Sequence, residues 1–411
     1  MVTPRFRWLA MGVGALAFGG LLTSPYHSSE RALAAAPGWL YALDGAPMVS
    51  RAIHLGLHLA AVWLAGGWFS CWLPARAARI AMLLYALHPL HTQTLASLEA
   101  RPLLLAAVLM LAALVVWKAG HGWLAVSLGT LAALADWSAA ALPPLLWLWS
   151  DADERREAAA PLGVLSGVAL AAILKASGET VTASLDYFAW QGAALLRTLW
   201  LFVLPAGLSA DPDVRVPPLA AAMAWSAVAA LAALLVLHRA GPWRWFVSAL
   251  VALAPTAGVL VSAQFASDTR AALALVFLCG GAGALLAGAA RNLLIPAGAL
   301  LAVVSLLETS LWRSEGEVWM RAARLAPAKV EPRLRLAPLV DAPYALELLS
   351  EARRLAPDDP AVSWRLGETL ARAGRHAAAE VEFARARAAC AQGAGAVTLK
   401  RVARNCQSGN S

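Results

Sequence analysis

Between two apolar runs lies the stretch LYALHPLHTQTLASLEARPLL, residues 84–104. His88 and His91 are three apart, so on a helix they share a face. Arg101 stands at the head of the apolar run that follows. Imidazole and guanidinium donors gathered in this way could hold a phosphate or a sugar at a membrane interface. The same residues have a plainer use as a polar cap closing two helix ends, with the histidines bonding backbone carbonyls. A two-histidine metal site is a third use, but it lacks an evident third ligand, and no metal is expected.

The chain that positions these residues is 60% hydrophobic over 411 residues, and its mean hydropathy is +0.63. Only 14% of its residues are charged, against roughly 25% in a soluble domain. Apolar runs long enough to cross a bilayer recur over the first three quarters. The expectation is an all-α, polytopic membrane protein. A net charge of +8 raises the question of nucleic acid. The Lys and Arg residues fall in loops between apolar runs and in the last hundred residues, which argues against a phosphate-tracking stripe.

Eleven spans are read at 8–24, 52–70, 79–97, 102–117, 122–136, 138–150, 158–175, 217–237, 246–263, 271–290 and 292–308. With that number, the loops carrying Arg5 and Arg7, Arg76 and Arg79, Lys118, Arg155 and Arg156, Arg239 and Arg244, and Arg291 all face the cytoplasm. The N-terminus is then inside, and the His88–Arg101 motif and the C-terminus are outside. A cleaved signal peptide ending near LAAAPG is the alternative for the first run. Segment 187–204 carries Arg197 and is read as a helix lying in the outer interface, its guanidinium reaching lipid headgroups or, less simply, a carrier phosphate. The 18 tryptophans, many near span ends, read as an aromatic belt.

After residue 308 the composition turns rich in Arg, Ala and Glu. In AVSWRLGETLARAGRHAAAEVEFARARAA, Leu366, Gly367, Leu370, Ala379, Phe383 and Ala386 fall at the small and apolar positions of a tetratricopeptide repeat. One unit earlier, Ala345, Leu349, Ala352 and Pro357 fit a second helix, preceded by a shortened first helix near 331–340. The division expected is a membrane domain at 1–308, a repeat domain at 309–390 and a flexible tail at 391–411. Few repeats make a short α-solenoid.

The ordered motifs resemble those of GT-C superfamily membrane glycosyltransferases with C-terminal tetratricopeptide repeats, of the protein O-mannosyltransferase-like type and its bacterial relatives. The family segment ALHPxHxEAxAWxxGRxDLL is matched at Ala86, Leu87, His88, Pro89, His91, Ala96 and Arg101. YALDGAPMVSRAIHLGLHLA is similar at Leu43, Asp44, Gly45 and His58. SAAALPPLLWLW, LPAGLSADPD and SLWRSEGEVWMRAARLAP follow in the family's order. The resemblance covers nearly the whole chain and implies a GT-C-like membrane domain in the inner (cytoplasmic) membrane with a periplasmic repeat domain. It implies transfer of a sugar from a polyprenyl-phosphate carrier, acting as co-substrate, to an acceptor at the outer face. The partners implied are membrane lipid, the lipid-linked sugar and a protein held by the repeats.

The departures are equally specific. The first outer loop is short and lacks the family's acidic pair. Gln93 stands where the family has Glu, Leu103 where it has Asp, and Asp136-Trp137 where it has Lys-Glu. Glu30 is the acid between Tyr26 and Asp44, after the first span, where the family's bases reside. Its roles are general base or solvated loop acid. Asp211, in LSADPD, and Asp268, in SDTR (which resembles the family's ADRY), are the outer carboxylates, as substrate-binding or structural groups. The competing function is a catalytically degenerate protein that presents its repeats as an interaction scaffold. Cys390 and Cys406 fall in one short outer segment, and a disulfide is expected there, against two free thiols on a frayed tail.

Overall fold

The computed structural model describes residues 2–25, 27, 46–178, 185–238, 242–257 and 268–391. Its regular elements among these are all helical. The chain divides into two compact units: one holds Met1–Leu208 and Val214–Arg313, the other Ser209–Asp213 and Ser314–Ser411.

In the first unit the helices are α1 (Pro4–Phe18), α2 (Pro47–Trp72), α3 (Ala75–Leu87), α4 (His91–Ala96), α5 (Arg101–Lys118), α6 (Gly122–Ala135), α7 (Leu142–Trp149), α8 (Ala152–Glu157), α9 (Ala159–Gly178), α10 (Leu185–Val203), α11 (Pro218–His238), α12 (Trp243–Leu253), α13 (Ala271–Leu285) and α14 (Arg291–Leu311). Their starts follow local chemistry. Thr3 caps α1 by accepting from the Phe6 N–H, with Pro4 next. Asp151 and Glu154 form a reciprocal capping box on α8.

Among the described residues six helices are long and apolar enough to cross a membrane: Pro4–Thr23, Pro47–Trp72, Leu98–Lys118, Pro218–Leu237, Asp268–Gly288 and Arg291–Leu311. Gly122–Ala135 and Ala159–Leu174 are shorter apolar helices. Of the eleven expected spans, 79–97, 122–136, 138–150, 158–175 and 246–263 are not among those six; the last continues outside the described residues after 257, and 79–97 and 138–150 differ for clear reasons. The run 79–97 breaks at His88, whose extended ψ of 128 follows from the proline after it. The run 138–150 is divided between a 3-10 turn, Trp137–Ala141, and α7. Asp136 caps that turn through the Ser138 N–H at 2.8 Å.

Apolar side chains cover the outside as well as the inside. Leu293, Ile295, Leu300 and Leu307 on α14 are each more than 60% exposed, and Leu219, Met223 and Leu237 on α11 are similar. A surface of this kind is stable against lipid rather than water. Inside, small residues bring helices together: a Cβ on Gly283 of α13 would lie 2.6 Å from the Ala77 carbonyl oxygen and 2.7 Å from Ala81 Cβ on α3. Several tryptophans expected at the interface are core residues instead. Trp149 and Trp245 are 4% exposed and meet edge to face at 4.7 Å, and Trp68 and Trp72 pack on Trp149. Trp149 donates to Ser248 Oγ and Trp117 to Ser150 Oγ. Trp8, by contrast, is exposed.

The second unit holds α15 (Glu315–Leu325), α16 (Glu331–Leu336), α17 (Ala342–Leu355), α18 (Pro360–Arg372) and α19 (His376–Ala391). Its core is Leu334, Ala337, Ala345, Leu349, Ala352, Ala361 and Val362. The ion pair Arg333–Glu351 ties α16 to α17, and Arg353–Glu382 ties α17 to α19. Gly367 lets the Phe383 ring close onto α18, since a Cβ there would stand 2.5 Å from it. The LSADPD stretch belongs partly to this unit: Asp211 pairs with Lys329 Nζ, which also donates to the Pro212 carbonyl at 3.3 Å.

Candidate functional site

Pro89 cannot continue α3, so the chain turns, and His88 stabilises the turn from both ring nitrogens. Its Nε2–H donates to the Phe202 carbonyl at 3.0 Å, its Nδ1 accepts from the Leu90 N–H at 3.2 Å, and the ring stacks on Phe202. It is 1% exposed. In this arrangement His88 caps the turn after α3 and joins it to the end of α10.

The short helix α4 leaves its last carbonyls without intrahelical donors. Two side chains of α2 supply them. His54 Nδ1–H donates to Leu95 O at 3.0 Å, and Arg51 donates to Ala96 O. Nε2 of His54 accepts from Arg101 Nε at 3.0 Å, which fixes the Nδ1–H tautomer. Arg51 donates in addition to Pro25 O at 3.1 Å, so the end of the first helical segment is joined to the same cluster. Arg51, His54 and Arg101 are all at most 3% exposed. Arg101 thus sits where expected, at the head of α5, and its His54 contact is structural.

His91 lies beside His58, with ring centroids 4.4 Å apart, and against Tyr85 and Phe18. His58 Nε2 reaches the Ala86 carbonyl at 3.4 Å. Its Nδ1 and both nitrogens of His91 have no hydrogen bond of ordinary geometry, nor have the hydroxyls of Thr92 and Thr94. The histidine pair supplies two metal donors only. Among the described residues no group of three or more His, Cys, Asp or Glu could hold a metal ion.

A second polar cluster adjoins α4 on its other flank. Gln93 Oε1 accepts from the Asp268 N–H at 3.1 Å. Asp268 is salt-bridged to Arg197, which also donates to the Gly207 carbonyl at 3.0 Å. Arg197 is therefore committed to a carboxylate and does not snorkel as expected. Two residues on, Arg270 donates to Gln191 Oε1 at 2.8 Å and to Tyr187 Oη at 3.0 Å.

The structure brings His88, His91, Arg101 and Asp268 to one region around α4 and places Asp211 in the other unit, on Lys329. Glu30 and Cys406 lie outside the described residues. Cys390 is disulfide-bonded, and Cys71 and Cys279 are free thiols. Sequence reading missed Arg51 and His54 as partners of the motif, although both stand in an apolar run, where an ionisable residue is a signal in itself. It also missed Glu308, 9% exposed in α14 beside Ser305, whose hydroxyl donates to Leu87 O, and Thr309. His27 anchors the beginning of the first loop, stacking on Trp312 and bonding its carbonyl at 3.1 Å.

Long apolar helices with lipid-compatible outer faces define a helical membrane protein. Compared with family models, with curated proteins and with solved structures, the chain matches none.

Proposed function

We propose that the chain is a GT-C-like membrane glycosyltransferase that takes a sugar from a polyprenyl-phosphate carrier at the outer face of the inner membrane. The observation that carries this reading is the gathering of Arg51, His54, Arg101 and the Arg197–Asp268 pair around α4, where the first loop begins. That loop is anchored through Pro25 on Arg51 and through His27 on Trp312. Glu30 follows His27 by three residues in the sequence. In this reading Glu30 takes the acceptor hydroxyl proton, and the cluster around α4 is the rigid floor of the site. In this reading the helices of the second unit are short tetratricopeptide repeats lying in the periplasm, which an odd number of spans with the N-terminus inside would require.

Sugar transfer from a lipid-linked donor by the purified chain tests this. Wild-type protein transfers, and Glu30→Gln loses transfer while keeping its melting temperature. A wild-type protein that transfers no sugar, or a fully active Glu30→Gln, sinks the assignment. Protease added to right-side-out membranes clips the C-terminal unit if the topology is right; protection overturns it.

A second reading has its own support. His88 and His54 spend their ring nitrogens on internal partners, as a non-catalytic scaffold presenting the second unit to a protein would allow. A catalytically silent wild type that still retains a partner through residues 314–391 fits that reading alone.

A further inference from the structure

Gln191 on α10 is fully buried. Its Oε1 accepts from Arg270, which fixes the amide orientation, and its Nε2 donor has no partner. Arg270 itself is half-buried and held by two neutral groups, Gln191 and the Tyr187 hydroxyl. Among the described residues it pairs with no carboxylate. The nearby acid, Asp268, is already neutralised by Arg197. The place therefore offers a guanidinium without a counter-ion beside an amide N–H with no acceptor. A buried donor left without an acceptor is destabilising, and a half-buried cation favours an anion close by. Both vacancies call for the same chemistry, several acceptor oxygens carrying negative charge. The N-terminus of α13 begins at the next residue and adds positive potential.

The surroundings favour a lipid as the bearer of that charge. Around Gln191, α10 and α11 expose Leu185 (88%), Leu219 (75%) and Met223 (64%). Phe188 is half exposed and stacks on Trp225. Apolar tails fit these flanks while the headgroup reaches Arg270.

We infer that Arg270, Gln191 and Tyr187 form a binding site for a phosphate oxyanion carried by a lipid headgroup. Only the identification of that lipid with a polyprenyl-phosphate carrier rests on the sugar-transfer reading. The site itself does not, and a non-carrier phospholipid tests it separately.

The experiment is native mass spectrometry of the full chain, delipidated in detergent and titrated with phosphatidic acid, with diacylglycerol of the same tails, or with inorganic phosphate. Wild-type protein is expected to retain one phosphatidic acid at concentrations where diacylglycerol does not stay bound. Arg270→Gln and Gln191→Leu should each weaken retention about tenfold or more, as loss of a charge-assisted or buried hydrogen bond implies. Gln191→Glu guards against simple misfolding: it supplies Arg270 with an internal carboxylate, so the chain stays folded while phosphatidic acid binding disappears. Competition by inorganic phosphate at similar concentration identifies a free anion as the occupant and upholds the oxyanion site while removing the lipid. Equal retention of phosphatidic acid and diacylglycerol, or unchanged binding by folded Gln191→Glu, overturns the inference.

Discussion

Arg101 Nε donates to Nε2 of His54 at 3.0 Å across 47 positions of sequence, and the opposite nitrogen of that ring caps the Leu95 carbonyl of α4. One imidazole thus couples the start of α5 to the end of α4. A double-mutant cycle on His54→Ala and Arg101→Leu, read by thermal unfolding in detergent, should give a coupling of about 1–3 kcal/mol. Strict additivity would mean that the bond contributes nothing to the fold.

The Arg197–Asp268 pair holds α10 to the turn before α13, with side chains 20% and 3% exposed. Removing one partner strands the other, so Arg197→Met should destabilise by about 3 kcal/mol or more. Arg197→Met combined with Asp268→Leu should recover much of that loss. A double variant as weak as the single one argues that the geometry of the pair, rather than stranded charge, is what matters.

Two glycines give a matched contrast. A methyl on Gly283 meets the backbone of Ala77 and Ala81, which no rotamer can relieve, whereas one on Gly298 meets nothing within 4 Å. Gly283→Ala should therefore cost about 1–3 kcal/mol by prying α13 from α3. Gly298→Ala should be neutral or stabilising by up to about 1 kcal/mol, because alanine is the better helix former. Melting temperatures of the two variants, side by side, check the pair.

Burial raises the Glu331 carboxyl above its ordinary value of 4.5, with the ion-paired Arg335 opposing the shift. The folded state therefore holds this proton to higher pH than the unfolded state does. The contribution of Glu331 is fully present below pH 4.5 and is lost as pH rises through the raised value. Glu331→Gln should flatten the unfolding-against-pH curve of the second unit over that mildly acidic window. Asp359 is raised in the same direction, by burial and against the Ala361 N–H, and contributes with the same sign. An unchanged curve in Glu331→Gln would show that the group does not titrate with folding.

Cysteine chemistry gives a further check. Cys390 is disulfide-bonded and packs beside the core of the second unit. Non-reducing peptide mapping should join it to Cys406, a closure of the length that contributes roughly 3 kcal/mol in the chain-entropy account. Alkylation of both thiols in protein taken from membranes would refute the pairing.

The class of element and much of its punctuation are legible in the residues alone. Apolar runs with few charges can satisfy their backbone in lipid only as helices. Pro89 breaks the run after His88, Pro102 opens α5, and the pattern around Gly367 and Phe383 marks a closely packed helix pair. The same reading located His88, His91, Arg101 and Asp268 as polar residues that need an explanation. What it could not supply was their partners. His88 finds a carbonyl 114 positions away, Gln93 an amide 175 away, and Arg197 its carboxylate 71 away. Nor could it separate an exposed tryptophan such as Trp8 from a core one such as Trp149, because both stand near the ends of apolar runs. Helical periodicity states which side chains share a face. Which face meets which is decided by close approach of small residues such as Gly283 and Ala77, and by distant partners for buried polar groups such as His88 and Gln93. Those conditions are met only once the helices are packed.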